Sequence, residues 1–412
     1  MRKAVITGLG IVSPTGLGAE SFWRAVLNGP SAIRPITRFD AIPYSSQIGG
    51  EICDRDYEDL LEPRKLRTTT HVTKLALAAT QLAVRDAKLS FAAEDLARVG
   101  VCIGTAIGGW RDAELQHSIL LERGARRVNP FIANATPNHS TGAEIAQLLG
   151  AQGAHFTISS GCPSSLQALG CAANLIASGE LDVCIAGGAE SPITPTIFAG
   201  MGRTQELCTL NHEPATASRP FDRFHAGLVL SEGSCILVLE SAERAAERSA
   251  LPYAVVLGSA SSCDANGLYG FDPTAAPGAR AIHQVLASAA LRTTDIDYVC
   301  AHANSSPLFD RKEAVVITSV FGHRAQRLPV SSIKGVLGHP FGASGAFQVA
   351  AAALAIRHQI VPPNFNLKIP DTNCSLDFLP RQPVPCHVRH SLITSYGYGG
   401  LNSYMIIRDP TL

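Results

Sequence analysis

Cys162 stands where a β-type run, Phe156–Ser159, meets Gly161 and then a helical pattern. Pro163 suits the first helical position, because its ring presets φ and its missing N–H would have had no intrahelical partner. Leu166, Leu169, Ala173 and Ile176 recur at helical spacing behind it. A thiol at the positive end of a helix ionises more easily, because the helix terminus stabilises the thiolate. The stretch alone fits equally well a structural cysteine, one of eleven in the chain. Three further segments place polar chemistry after strand patterns. They are Ala301–Asp310 with His302, before a helix carrying Glu313; Ser332–Gly345 with Lys334 and His339; and Ser395–Asn402, a glycine-rich loop before a closing strand at 403–407. Each is unremarkable singly, since a lone histidine after a strand is usually structural and a glycine-rich turn usually just a turn. Together, a cysteine at a helix start, two histidines at strand ends and a loop rich in free N–H groups form a set for acyl transfer. The thiolate attacks, histidine moves protons or donates hydrogen bonds, and backbone amides receive an oxyanion.

The elements that must position this set alternate in kind. Buried strand patterns lie at Ala4–Thr7, Val99–Gly104, Val183–Gly188, 231–239 and Asp297–Ala301. Helical patterns lie at about 20–27, 72–87, 143–149 and 279–290, and Ser241 is placed to cap another. Near residue 250 the pattern restarts, with Tyr253–Ser259 echoing Lys3–Gly8 and Asp297–Ala301 echoing Val99–Ile103. This predicts two duplicated β/α halves, 1–250 with the cysteine and 251–412 with both histidines, in mixed α/β layers. Gly8-Leu-Gly10 lacks the third glycine and immediate helix of a dinucleotide loop.

Composition narrows the functional class. Of 412 residues 46% are hydrophobic and 17% charged, and the formal net charge is zero. No global field attracts nucleic acid or a membrane surface. The cysteines show no metal-ligand spacing, and their odd number reads as reduced thiols. The first residues enter a strand pattern without signal-peptide features, and no apolar run reaches the length of a membrane span. The expected location is the cytoplasm.

The whole set, from Ala4-Val-Ile-Thr-Gly-Leu-Gly10 to Tyr396-Gly-Tyr-Gly-Gly400, resembles the β-ketoacyl-acyl carrier protein synthases of the thiolase superfamily, nearest the ketoacyl synthase I/II type. The resemblance implies a five-layered αβαβα thiolase fold and a dimer with each pocket bottomed near the twofold axis. It places the family's Cys–His–His set on Cys162, His302 and His339, its active-site lysine on Lys334 and its steadying acid on Glu313. It implies decarboxylative condensation of an acyl group held on Cys162 with a malonyl unit, both delivered on the phosphopantetheine arm of acyl carrier protein. No tightly bound cofactor or metal is implied. The N–H groups of Cys162 and Tyr398 would form the oxyanion hole, Gly399 and Asn402 belong to the gating loop, and Ile107 and Phe131 match the floor of the acyl pocket. Arg64, Lys65, Arg67, Arg126, Arg127 and Arg203 match regions that dock the acidic carrier, although basic clusters are more often plain solvated faces.

Departures from the family pattern cluster at the pocket and gate. Gly161-Cys-Pro-Ser-Ser165 replaces Ala-Cys-Ser-Ser-Ser, His302-Ala-Asn-Ser-Ser-Pro307 replaces His-Gly-Thr-Ser-Thr-Pro, and tyrosines 396 and 398 stand where phenylalanine is usual. The loop Phe-Asp-x-x-Arg-Asp-Gly-Phe becomes Phe221-Asp-Arg-Phe-His-Ala-Gly-Leu228. Glycine before the cysteine resembles the ketosynthase subunits of type II polyketide systems, and a specialised substrate is expected. Two alternatives carry different expectations. A thiolase shares the Gly338-His-Pro-Phe-Gly-Ala-Ser-Gly345 signature but needs a second cysteine in the loop that here reads Tyr396–Gly400. A chain-length factor lacks the nucleophile. The chain is therefore expected to act as a homodimer, or as the catalytic subunit of a heterodimer with a chain-length-factor-like partner.

Overall fold

Strand pairing repeats itself across the two halves of the chain. The computed structural model describes residues 2–374, 376 and 379–412, and its main sheet has eleven strands, ten in one row and the two-residue Gly16–Leu17 beside the first of them. The first five are β1 (Ala4–Ser13), β2 (Val99–Gly104), β3 (His155–Ile158), β4 (Val183–Glu190) and β5 (Gly233–Ser241). The second five are β6 (Ala254–Cys263), β7 (Tyr298–Cys300), β8 (Val330–Ser331), β9 (His390–Gly397) and β10 (Leu401–Arg408). Their orders are β3-β2-β4-β5-β1 and β8-β7-β9-β10-β6. In each set the first three strands run parallel and the last two joins are antiparallel. Strand n of the first half thus answers strand n + 5 of the second. The halves join where β1 meets β6 through three pairs, Ala4–Val256, Val5–Val255 and Ile6–Ala254.

Helices fill the layers on both sides. α1 (His71–Ala87) and α2 (Ser140–Leu149) pack on the outer face of the first five strands, over a core that includes Leu75, Ala79, Val101 and Ile185. α3 (Ser164–Ala177), α4 (Ala276–Ser288), α5 (Pro307–Phe321) and α6 (Ser344–His358) complete the set. α3 and α6 lie back to back between the two sheets and share one core with the inner faces of both. α4 and α5 close the outer face of the second five strands. The result is a five-layered αβαβα body. Strands β2 and β4 are buried throughout, as parallel strands covered on both faces must be, and their sequences are accordingly continuous apolar runs.

Two helices escape periodicity for opposite reasons. In α6 every residue from Ser344 to Ile356 is buried, so no polar face marks its period. Trp110–Arg123 has no fully buried residue and lies largely on the surface. Elsewhere the expected elements form with ends shifted by a few residues, and Ser241 caps its helix by accepting from the Arg244 N–H at 3.2 Å. No helix among the described residues is long and apolar enough to cross a membrane.

Candidate active site

Gly104, the last residue of β2, decides where Cys162 can sit. A Cβ there would come within 2.3 Å of the Ser164 and Ser165 backbone, so only glycine lets the start of α3 press against the sheet. The chain leaves β3 at Ile158, turns through Gly161 at φ +66°, and presents Cys162 before the helix. The helix begins at Ser164, one residue later than expected. Pro163 instead occupies the cap, because its carbonyl accepts the first helical bond from Gln167 while Gly161 and Ser164 close a turn around it.

His339 reaches this thiol from the other half, with Nε2 3.1 Å from Cys162 Sγ. Its backbone is pinned on both sides: its N–H donates to the Val229 carbonyl at 2.8 Å and its carbonyl accepts from the Ser231 N–H at 3.1 Å. His302 follows β7, the counterpart of β2. Its N–H donates to Thr394 Oγ at 3.0 Å, and the Thr394 hydroxyl donates to Glu313 at 2.7 Å. Glu313 also accepts from the Ala303 N–H at 3.1 Å. Lys334 Nζ donates to the His302 carbonyl and lies 3.4 Å from Gln348 Oε1. Glu313, Thr394 and Lys334 thus grip the backbone of His302 and leave its ring free. Among the described residues neither ring nitrogen of His302 has a hydrogen-bond partner and Nδ1 of His339 has none, although all are buried.

Burial dominates the electrostatics. It pushes the Cys162 thiol up to about 12, with Lys334 opposing and Glu190 adding to the rise. Burial thus opposes the ionisation that a helix start alone would favour. Both imidazoles are held well below their ordinary range, by burial first and the Lys334 charge second. They are neutral at physiological pH. Burial also lowers Lys334 to about 8 and raises Glu313 to about 7, the latter against donors on Thr394 and Ala303.

The glycine-rich hairpin between β9 and β10 closes the site. A Cβ on Gly397 would stand 2.9 Å from Pro163 Cδ and 3.5 Å from the Cys162 nitrogen, so the bare backbone here allows close approach to the nucleophile. Tyr398 follows, then Gly399 and Gly400 at φ +82° and +76°. Among the described residues, the N–H groups of Cys162 and Tyr398 donate to no other group. Asn402 braces the hairpin from below, donating to Asp264 at 2.8 Å and Ser262 at 3.1 Å.

The remaining expected residues lie farther out. Ile107 is half-buried beside Glu190, its N–H 3.3 Å from that carboxylate. Phe131 is 49% exposed and lines a surface cleft of about 480 Å³ with Arg64 and Lys65. Arg64, Arg67, Arg126, Arg127 and Arg203 are exposed, whereas Lys65 pairs with Glu144. Sequence reasoning missed Thr394, Gln348 and Glu190. Glu190 is fully buried, bonds Thr105 and the N–H groups of Ala106, Ile107 and Gly342, and so ties the Ile107 loop to the His339 loop. A carboxylate ending the apolar run of β4 was its one sequence signal. Thr394 and Gln348 carry none, because their neighbours arrive only through the fold.

A thiol touching a neutral imidazole, two imidazoles with open nitrogens and the free amide of the cysteine itself, closed over by a glycine-rich hairpin, can form and cleave a thioester and hold an enolate. Family models named for the beta-ketoacyl synthase N-terminal and C-terminal domains match residues 1–245 and 253–368. A Streptomyces halstedii chain named as polyketide beta-ketoacyl synthase 1 is 38% identical over 99% of this chain and 98% of its own. The 3-oxoacyl-[acyl-carrier-protein] synthase 2 of Coxiella burnetii is 37% identical over 98% of both. Among solved structures, the ishigamide ketosynthase/chain length factor matches with a TM-score of 0.92, at 30% identity over 99% of both chains. A type II polyketide ketosynthase bound to its acyl-carrier protein matches with a TM-score of 0.90, at 31% identity over 99% of both chains.

Proposed function

The chain belongs to the beta-ketoacyl synthase family, and on that premise we propose that it condenses a Cys162-bound acyl group with a malonyl unit on acyl carrier protein. The observation that carries this reading is the set of buried, unpartnered nitrogens on His302 and His339 beside the Cys162 thiol. Buried polar atoms without partners call for one, and a substrate thioester carbonyl supplies it.

In the first half-reaction Cys162 Sγ attacks the acyl thioester carbon and its proton passes to His339 Nε2. The N–H groups of Cys162 and Tyr398 face the developing oxyanion. The C–S bond to the phosphopantetheine thiol breaks, and that thiol leaves with the proton. In the second, a malonyl thioester places its carbonyl oxygen between the two imidazoles. Neutral imidazoles suit this step, since each donates one N–H without a competing cation. The bond to the carboxylate breaks, carbon dioxide departs, and the electron pair becomes an enolate held by His302 and His339. The carbanion attacks the acyl carbon, the bond to Cys162 sulfur breaks, the sulfur leaves as thiolate and takes up one proton from solvent, and a 3-ketoacyl thioester results. Lys334 and Glu313 act behind His302 by fixing the backbone around it, and the Lys334 charge helps to keep the ring neutral. Thiolysis in the thiolase manner is disfavoured, because Tyr396–Gly400 holds no second cysteine.

Two features support assembly with a second subunit. β3 pairs with β2 alone and leaves its other edge open, with Phe156 exposed. Phe131, expected at a pocket floor, is half exposed in the isolated chain. A homodimer, or a heterodimer like that named for the ishigamide structure, would cover both. The exposed arginines flanking Phe131 offer an acidic carrier a landing face.

Incubation with a panel of acyl-carrier proteins, followed by intact and peptide mass spectrometry, tests the reading. An acyl adduct on Cys162 that malonyl-carrier protein discharges as a 3-ketoacyl product supports it. No adduct with any primer, with or without a candidate partner subunit, removes it.

A further inference from the structure

The nucleophile is shut away. Cys162 is 4% exposed, His339 1% and His302 not at all. No thioester carried on a long arm reaches Sγ unless some covering group yields. The hairpin turn that carries Tyr398 is built to yield: Gly399 and Gly400 both hold positive φ, and a Cβ on Gly399 would meet nothing within 4 Å. What holds this turn down is specific. The Tyr398 hydroxyl donates to Glu206 Oε2 at 2.8 Å. Its ring packs edge-on against Tyr269 at 5.5 Å and Phe309 at 5.2 Å, and Phe309 in turn meets His302 at 5.6 Å. The Gly399 N–H donates to the Leu268 carbonyl at 2.8 Å, within an exposed loop.

Glu206 is a firm anchor. Its N–H donates to the Met201 carbonyl at 3.2 Å, and its carbonyl accepts from the Leu228 N–H at 3.0 Å. Burial and the Glu206 charge both raise the Tyr398 phenol, so its hydroxyl stays a donor. The usual residue at this place in the family pattern is phenylalanine, which has no hydroxyl to tether. The extra oxygen is therefore the atom that finds a carboxylate.

We propose that Glu206 is a positioning residue that latches the Tyr398 turn over Cys162, so that the site opens only when an incoming acyl chain displaces the Tyr398 hydroxyl. The proposal rests on the condensing-enzyme reading for its purpose, not for its test. A tyrosine–carboxylate bond at a partly buried site also fixes the hairpin that carries the Tyr398 amide, so the same latch bears on access and on the placing of that donor.

The test uses the full chain and iodoacetamide, with alkylation of Cys162 followed on its own peptide by mass spectrometry across a range of pH. Tyr398→Phe and Glu206→Ala are each expected to speed alkylation about tenfold, the weight of a hydrogen bond to a charged group. The midpoint of the pH profile should stay in place. The double variant should react no faster than either single one, because both remove the same bond. Unchanged rates, additive rates or a moved midpoint would each overturn the latch, the last by showing an altered thiol rather than altered access. Because alkylation needs no carrier protein, the latch stands or falls separately from condensation, which the acyl adduct reports.

Discussion

The imidazoles of His302 and His339 stand edge to face, with ring centroids 5.2 Å apart and planes at 85°, and among the described residues only one of their four nitrogens has a hydrogen-bond partner. That one is His339 Nε2, against Cys162 Sγ. The pair is therefore divided in duty: both rings can face a substrate carbonyl, and one alone can accept the thiol proton.

This division predicts different defects. His302→Ala is expected to lower malonyl decarboxylation by about 10²–10³, the usual weight of one donor to a developing oxyanion. Acylation of Cys162 should stay within a few-fold. His339→Ala should lose both steps. Rapid-quench measurement of the acyl adduct, beside carbon dioxide release, separates them. Equal loss of acylation in both variants would refute the division.

Lys334 is expected to set the acid side of the pH profile. After burial, its charge is the main force holding both imidazoles low. Lys334→Met should let both rise, so the pH below which decarboxylation fails moves upward. It also removes the charge that favours the ionised form of the buried Glu313 carboxyl, and so lowers stability. Lys334→Met with Glu313→Gln should recover stability but not the original profile. An acid limb that stays in place in both variants would show that Lys334 serves structure alone.

How much of this was open to sequence reasoning depends on where each contact comes from. Cys162 and His302 follow strands that the sequence announces locally, whereas His339, expected at a strand end, instead follows the short helix Lys334–Leu337. The duplication was legible at β1 and β6 and at β2 and β7, whose apolar runs repeat, but not at β3 and β8, which have four and two residues. Lys334 and Glu313 behind His302 came with the family resemblance, but Thr394 and Gln348 were not legible. Thr394 meets Glu313 across 81 positions, and Gln348 meets the Thr394 carbonyl across 46, through pairings that only the assembled sheet creates. The setting of the thiol was legible only in part, because a helix start is local whereas the burial around Cys162 is supplied by both halves.

Gly397 is expected to be intolerant of even one methyl group. A Cβ there would meet the rigid ring of Pro163 at 2.9 Å. Gly397→Ala must push the hairpin away from Cys162 or shift the start of α3. Either movement withdraws the Tyr398 amide, so acylation should fall at least tenfold while malonyl decarboxylation, which rests on the histidines, falls less. Gly397→Ala with Pro163→Ser relieves the contact and should restore much of the acylation rate. Failure of that second change to help would place the defect elsewhere.

His225 predicts a stability window in pH. Its Nδ1 lies 2.8 Å from Asp310 and its Nε2 3.4 Å from Asp371. Burial opposes its charge, yet the Asp310 bond and the charges of Asp310, Asp371 and Asp222 outweigh it and the imidazole is raised. Arg223 and Arg311 border the same cleft. A raised folded value means that the stabilisation is fully present below the unfolded value, about 6.5, and is lost as pH rises through the folded one. Asp310 also accepts the N–H groups of Asn304 and Ser305, so the loss is felt in the loop that follows His302. In urea titrations the wild type should lose stability as pH climbs above about 6.5, whereas His225→Gln should be less stable at pH 6 and nearly flat over the same range. A variant that keeps the wild-type slope would mean that another group drives the dependence.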